Sequence, residues 1–98
     1  MIEVRTTPIF TKWFENLKDR RAKARIQARI DRIEMGNFGD AAPVGEGVSE
    51  LRFFYGPGYR VYFSQRDNVV VILLCGGDKS TQQSDIAKAQ QIARQLEV

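Results

Sequence analysis

The chain has 98 residues, 43% of them hydrophobic and 28% charged, the balance of one ordinary folded domain and too short for two. One cysteine (Cys75) and no histidine exclude an internal disulfide, a zinc site of the usual type, and the Ser-His-Asp and Cys-His schemes. The net charge of +3 is uneven: Lys12 to Arg32 carries eight basic residues against three acidic ones, +5, while the remainder sums to −2, and such a stripe attracts polyanions or an acidic protein surface. The longest apolar run, Val69 to Cys75, is far too short to span a bilayer. Met1 to Arg5 lacks the pattern of a secretory signal, so a reducing cytoplasm is the expected setting, with no membrane partner. A core of this size is of limited stability alone and stands to gain from a partner.

Ile2 to Thr7 reads as a short strand. Thr7-Pro8 then has the form of an N-cap followed by proline in the first helical turn, where its missing N–H costs nothing. Ile9, Phe10, Trp13, Phe14 and Leu17 follow at helical spacing and predict one wide apolar face. A second helix is predicted from about Asp19 or Arg20 to Met35, with Ala22, Ile26, Ile30 and Ile33 as its buried row and Gly36 as its C-cap. Beside that row run Arg21, Arg25, Arg29 and Arg32, lined along one flank because residues three or four apart share a helix face. The expectation is that these arginines stay in water and serve binding to RNA or to an acidic partner, a solvated helix face being the competing reading.

Asn37 to Gly47, rich in glycine and proline, reads as a loop. Three strands follow, about Glu50–Tyr55, Tyr59–Gln65 and Val69–Cys75, joined by Gly56-Pro57-Gly58 and by a turn near Asp67-Asn68. Gly76 to Ser80 reads as a flexible polar loop. Ser80 or Ser84 is placed to cap a last helix whose apolar positions are Ile86, Ala89, Ala93 and Leu96. The whole is one α+β domain over 1–98, ordered β-α-α-β-β-β-α.

The hairpin is the informative part. If Tyr55 pairs with Tyr59 across the three-residue loop, Phe54 faces Arg60 and Arg52 faces Tyr62. Alternation then sends Leu51, Phe53, Tyr55, Tyr59, Val61 and Phe63 to the core and leaves Arg52, Phe54, Arg60 and Tyr62 together on an open face. Guanidinium groups fork onto phosphates and aromatic rings stack on splayed bases, so that face suits single-stranded RNA. Arginine packed over aromatics on a solvent-facing hairpin is the competing reading. Lys79 lies just past the third strand, at the lip of the sheet where functional side chains are often held. Cys75 and Trp13 read as core.

Glu50-Leu51-Arg52, Gly56-Pro57-Gly58-Tyr59-Arg60-Val61-Tyr62-Phe63, Leu73 to Gln82 and Asp85 to Ala89 together resemble the "addiction module killer" (HigB-like) branch of the RelE/ParE/HigB toxins. The resemblance extends over nearly the whole chain. It implies a small antiparallel sheet with two N-terminal helices packed on one face and a C-terminal helix. It also implies the toxin of a type II toxin–antitoxin pair, a ribosome-dependent mRNA endonuclease that inhibits translation. The partners implied are mRNA, the ribosome and a cognate antitoxin of helix-turn-helix type encoded next to it, with operator DNA reached only through the antitoxin complex. The ParE branch instead poisons DNA gyrase, and that stands as the alternative.

By the resemblance, Arg60 matches the strand arginine that contacts the scissile phosphate, Arg52 a basic position on the preceding strand, and Lys79 the basic residue after the last strand. The C-terminal tyrosine or histidine of some relatives has no counterpart, since neither residue follows Tyr62. The reaction implied is attack of a ribose 2′-hydroxyl on the adjacent phosphate, with no metal or cofactor. Arg60 and Arg52 would stabilise charge, and Lys79 or Tyr62 would handle protons. Phe54, Arg21, Arg25 and Arg29 complete the expected RNA-binding set.

Overall fold

The structure is a computed structural model and describes residues 1–96. Chain order runs β1 (Glu3–Thr6), α1 (Pro8–Glu15), α2 (Arg20–Glu34), β2 (Ala41–Gly45), β3 (Val48–Arg52), β4 (Tyr59–Arg66), β5 (Val70–Asp78), a 3-10 turn (Lys79–Thr81) and α3 (Gln82–Gln95). The five strands form one sheet in the order β1-β5-β4-β3-β2. Its pairs are antiparallel except β1 with β5, which run parallel, so the sheet is mixed and has one strand more than expected. The α+β class and the placing of the three helices stand.

Local signals account for the helices. The Thr7 hydroxyl accepts from Phe10 N–H at 3.0 Å and donates to the Leu74 carbonyl at 2.7 Å, so one side chain caps α1 and ties it to the sheet. Asp19 caps α2, accepting from the N–H groups of Arg21 and Ala22. Gly36, at φ +86°, donates to the Ile33 carbonyl and ends the helix, the left-handed residue such an ending uses. Ala22, Ile26, Ile30 and Ile33 are the buried residues of α2, as the spacing requires. No helix among the described residues is long and apolar enough to cross a membrane.

Helices cover both faces of the sheet, and this decides the site. On one face α1 and α2 pack Phe10, Ile26, Ile30 and Ile33 against Leu51, Phe53, Val61, Phe63, Val71 and Leu73. On the other, α3 lays Ala89 over Val48, Tyr62, Ile72, Leu74 and Cys75, with Ile86, Ile92, Ala93 and Leu96 at its margins. Both faces of β5 are therefore apolar. Opposite Tyr62 and Phe63 the register jumps from Cys75 to Leu73, a bulge that leaves Leu74 as the extra residue and puts it with Cys75 on the α3 side.

Four expectations about the chain path are corrected. Asn37 to Gly47 is not all loop: Ala41–Gly45 pairs with β3 as an edge strand, with a register shift between Pro43 and Gly45, and an edge is where proline is tolerated in a sheet. The hairpin pairs Arg52 with Arg60 and Glu50 with Tyr62, a slip of two residues that keeps each side chain on its face but lengthens the connection to Phe53–Gly58. Gly76 and Gly77 belong to β5. A side chain on Gly76 would overlap the Trp13 ring, and one on Gly77 would overlap the Asp85 carboxylate, so both glycines admit close neighbours. Neither Ser80 nor Ser84 caps α3. Thr81 stands at that position without a side-chain cap bond, while Asp78 caps the 3-10 turn before it. The turn at Asp67-Asn68 has the expected form, with φ +52° and +58°, the left-handed pair of a two-residue hairpin.

Candidate nucleic-acid interface

A groove runs from the flank of α2 across the β3–β4 connection to the start of the 3-10 turn. Its α2 half is lined by Arg25, Arg29, Arg32, Asp40 and Arg52, and its far half by Gly58, Arg60 and Lys79. Phe53, Phe54 and Tyr55 line both halves and join them into one surface. Six basic side chains thus border three aromatics and a single carboxylate, an arrangement suited to a polyanion that also carries flat rings.

The long hairpin connection forms the middle of the groove. Gly58 N–H donates to the Tyr55 carbonyl and Phe53 N–H to the Tyr59 carbonyl, closing the loop against β4. Gly58 sits at φ +77°, and a side chain there would meet Lys79 Cβ at 3.4 Å and Arg60 Nη1 at 3.5 Å; Lys79 and Arg60 come together beside it. Phe54 is 86% exposed. An exposed ring of that size offers a stacking platform. Tyr55 is half-buried under the Arg25 guanidinium, whose carbon lies 4.3 Å from the ring centroid.

The arginines differ in what holds them. Arg29 lies 4.6 Å over the Phe53 ring. It donates from Nη1 to the Arg52 carbonyl at 2.9 Å and from Nη2 to the Phe38 and Asp40 carbonyls, both at 3.1 Å. It clamps the segment before β2 to the end of β3, and burial lowers its pKa from the usual arginine value. Gly39, at φ +67°, allows this approach, since a Cβ there would lie 3.0 Å from Arg29 Nε. The expectation that the whole stripe stays in water therefore fails at Arg29: a guanidinium is the side chain best able to satisfy several carbonyls at once. Arg21, Arg25 and Arg32 are exposed, and Arg21 does not line the groove.

Arg52 donates from Nε and Nη2 to Asp40 Oδ1 at 3.2 and 2.7 Å. That hydrogen bond, with the carboxylate's charge, raises its pKa. Arg60 departs further from expectation. It is 7% exposed, because α3 covers the face of β4 that was expected to be open. Its Nη1 donates to the Gly58 and Tyr59 carbonyls at 3.0 and 3.1 Å, and its Nε faces Glu50 Oε1 at 3.7 Å. Truncating Arg60 would strand a buried carboxylate, which costs about 3–5 kcal/mol, so it is no dispensable surface arginine.

Tyr62 is sealed under α3 at 0% exposure, and its hydroxyl has no hydrogen-bond partner among the described residues. Burial, reinforced by the nearby charges of Glu50 and Asp85, pushes its pKa well above the ordinary 10.0. It does not line the groove, and proton transfer through it is corrected on that ground. Of the expected residues, the structure brings Arg25, Arg29, Arg52, Phe54, Arg60 and Lys79 to one surface and leaves Tyr62 and Arg21 away from it. Sequence reasoning did not single out Tyr55 or Asp40 as groove residues. Only the hairpin's length and the Arg29 clamp put them there, and neither shows as a local pattern.

Residues 12–97 match the family described as Phage derived protein Gp49-like (DUF891). A protein of Haemophilus influenzae is 53% identical over 95 residues, covering 97% of this chain and 96% of its own. Among solved structures, Escherichia coli toxin RelE, as a double arginine-to-alanine mutant in the free state, superposes with a TM-score of 0.72 at 13% identity, over 98% of each chain. At that identity the likeness is one of fold.

Proposed function

The chain belongs to the phage-derived Gp49-like family and has the RelE fold, and from that premise we propose that it is the toxin of a toxin–antitoxin pair, a ribosome-dependent mRNA endonuclease. The observation that carries the reading is the groove itself, in which an exposed Phe54 stands among Arg25, Arg32, Arg52, Arg60 and Lys79. Single-stranded RNA supplies both the phosphates and the unstacked bases that such a surface binds. The +5 charge between Lys12 and Arg32 adds attraction for RNA and for the acidic surface of a cognate antitoxin.

The reaction is attack of a ribose 2′-oxygen on the adjacent phosphorus. That P–O bond forms as the bond to the 5′-oxygen breaks, leaving a cyclic 2′,3′-phosphate and a 5′-hydroxyl. Negative charge grows on the phosphorane oxygens. Arg60 and Arg52 meet it with guanidinium groups that remain charged and are held in place before substrate arrives. Lys79 protonates the departing 5′-oxygen. The proton acceptor for the 2′-hydroxyl comes from the ribosome, which also aligns the mRNA; a groove lined chiefly by cations and rings binds and stabilises charge rather than removing protons.

The test is growth and cleavage together. Induction arrests a bacterial culture, and primer extension on programmed ribosomes shows new mRNA 5′ ends. Phe54→Ala keeps the melting temperature within about 2 °C, because an exposed side chain contributes little to folding, yet cleaves on the order of tenfold or more slowly for want of the stacked base. Intact mRNA with blocked gyrase supercoiling would place the protein in the gyrase-inhibiting class instead.

A further inference from the structure

We infer that Glu50 is the positioning residue for Arg60 and that Gln82 holds Glu50 in turn; this rests on the phosphate-binding role proposed above for Arg60. Glu50 is paired on β3 with Tyr62 and faces α3, where it is 5% exposed. A carboxylate is seldom buried this far without a counter-charge. Its counter-charge is Arg60, whose Nε lies 3.7 Å from Oε1, with the two side chains 8% and 6% exposed. The same Oε1 accepts from Gln82 Nε2 at 2.9 Å, so the first residue of α3 reaches across the sheet to set the carboxylate.

The rest of the guanidinium shows why this matters. Nη1 is held by the Gly58 and Tyr59 carbonyls. Nε is buried, has no hydrogen bond, and is directed at Glu50. Nη2 makes no hydrogen bond among the described residues, and Arg60 lines the groove beside Lys79. Two carbonyls and one carboxylate thus hold Nη1 and Nε, and the amino group Nη2 is left for phosphate. At 3.7 Å the Nε–Oε1 contact is ionic and beyond hydrogen-bond length, so Glu50 draws the Nε side of the guanidinium by charge while the two carbonyls hold Nη1. Misplacing a charge-stabilising group by about 1 Å costs on the order of a hundredfold in rate.

The experiment follows the Arg60 Nε–H signal by nuclear magnetic resonance in isotope-labelled, full-length protein, together with cleavage kinetics on programmed ribosomes. In Glu50→Gln the Arg60 Nε–H resonance moves and its exchange with water quickens on the order of tenfold, while kcat falls about a hundredfold and KM stays within about twofold. Gln82→Ala, a change at a half-exposed position that keeps both charges, moves the resonance in the same direction by less; should Glu50→Gln fail to fold, it decides the matter. An Arg60 signal identical to wild type in the folded variants overturns the inference, as does a rise in KM with kcat retained. A wild-type protein that cuts no mRNA defeats the proposed function, and the resonance of Arg60 still decides the role of Glu50.

Discussion

Tyr62 and Phe54 were expected on the same open face, and they end in opposite environments. Phe54 lies beyond the last paired residue of β3 and swings into the groove, whereas Tyr62 stays in the ladder and is closed off by α3. A phenol sealed without a hydrogen-bond partner destabilises, since it has left water and gained nothing in exchange. Under the proposed function Tyr62→Phe therefore retains mRNA cleavage, and it holds or raises stability by about 1 kcal/mol, read from a urea titration; a variant that folds but no longer cleaves would return the hydroxyl to the proposed reaction. Cys75 beside it is likewise buried, and its thiol is pushed up to about 11, chiefly by burial and then by Asp85. It is not a reactive cysteine in the folded protein.

At the scale of the element, α2 does two jobs with one arginine row. Arg29 is a clamp holding the Phe38 and Asp40 carbonyls and the end of β3, while Arg25 covers Tyr55 and remains exposed. Arg29→Gln takes the guanidinium donors from the Phe38, Asp40 and Arg52 carbonyls, of which only Asp40 keeps a second donor, the Arg52 N–H, and lowers stability by about 2–3 kcal/mol. Arg25→Gln changes it by less than about 1 kcal/mol while, under the proposed function, weakening binding to single-stranded RNA and flattening its salt dependence by about one phosphate contact. Thermal melts and a salt series separate the two. Equal stability losses would mean that the row acts as a single structural unit. In β5, Gly76 and Gly77 show the same economy: the strand continues through them because the Trp13 ring and the Asp85 carboxylate occupy the space that side chains would need.

At the scale of the whole molecule, the α3 side of the sheet carries a neutral tyrosine and a neutral thiol, and that gives stability a pH dependence. Both groups have raised pKa values when folded, from the ordinary 10.0 for Tyr62 and from 9.0 to about 11 for Cys75. A raised pKa means that the folded state holds the proton more tightly than the unfolded chain. The stabilisation is then complete below the unfolded values and is lost as pH rises through the folded ones. The urea midpoint should therefore stay flat near neutrality and fall between about pH 9 and about pH 11. Cys75→Ala should remove the earlier part of that fall. A midpoint unchanged across the range would show that neither group remains protonated through burial.

Periodicity and capping residues by themselves determined the three helices and four of the five strands, and only the edge strand β2 escaped them. Thr7-Pro8, Asp19 and Gly36 bounded the helices, the Ala22-Ile26-Ile30-Ile33 row marked the buried side of α2, and the alternation along β3 and β4 assigned Leu51, Val61 and Phe63 to the core. Those signals are local, and each is carried by a few neighbouring residues. Even the hairpin's register error preserved them, because a slip of two leaves the parity of every side chain intact. The motif residues Arg52, Arg60 and Lys79 were legible for a related reason: strand parity and the end of β5 place them near one another without any long-range knowledge. What only the tertiary structure decided is which polar residues meet water. An apolar face on β5 and an amphipathic α3 are each visible in the chain, but nothing local says that they meet. Once they do, Tyr62 and Glu50 are buried, Arg60 is drawn into an ion pair, and the exposed chemistry moves to the loop and the flank of α2. Burial depends on which two faces meet, and that pairing is made by residues far apart in the chain.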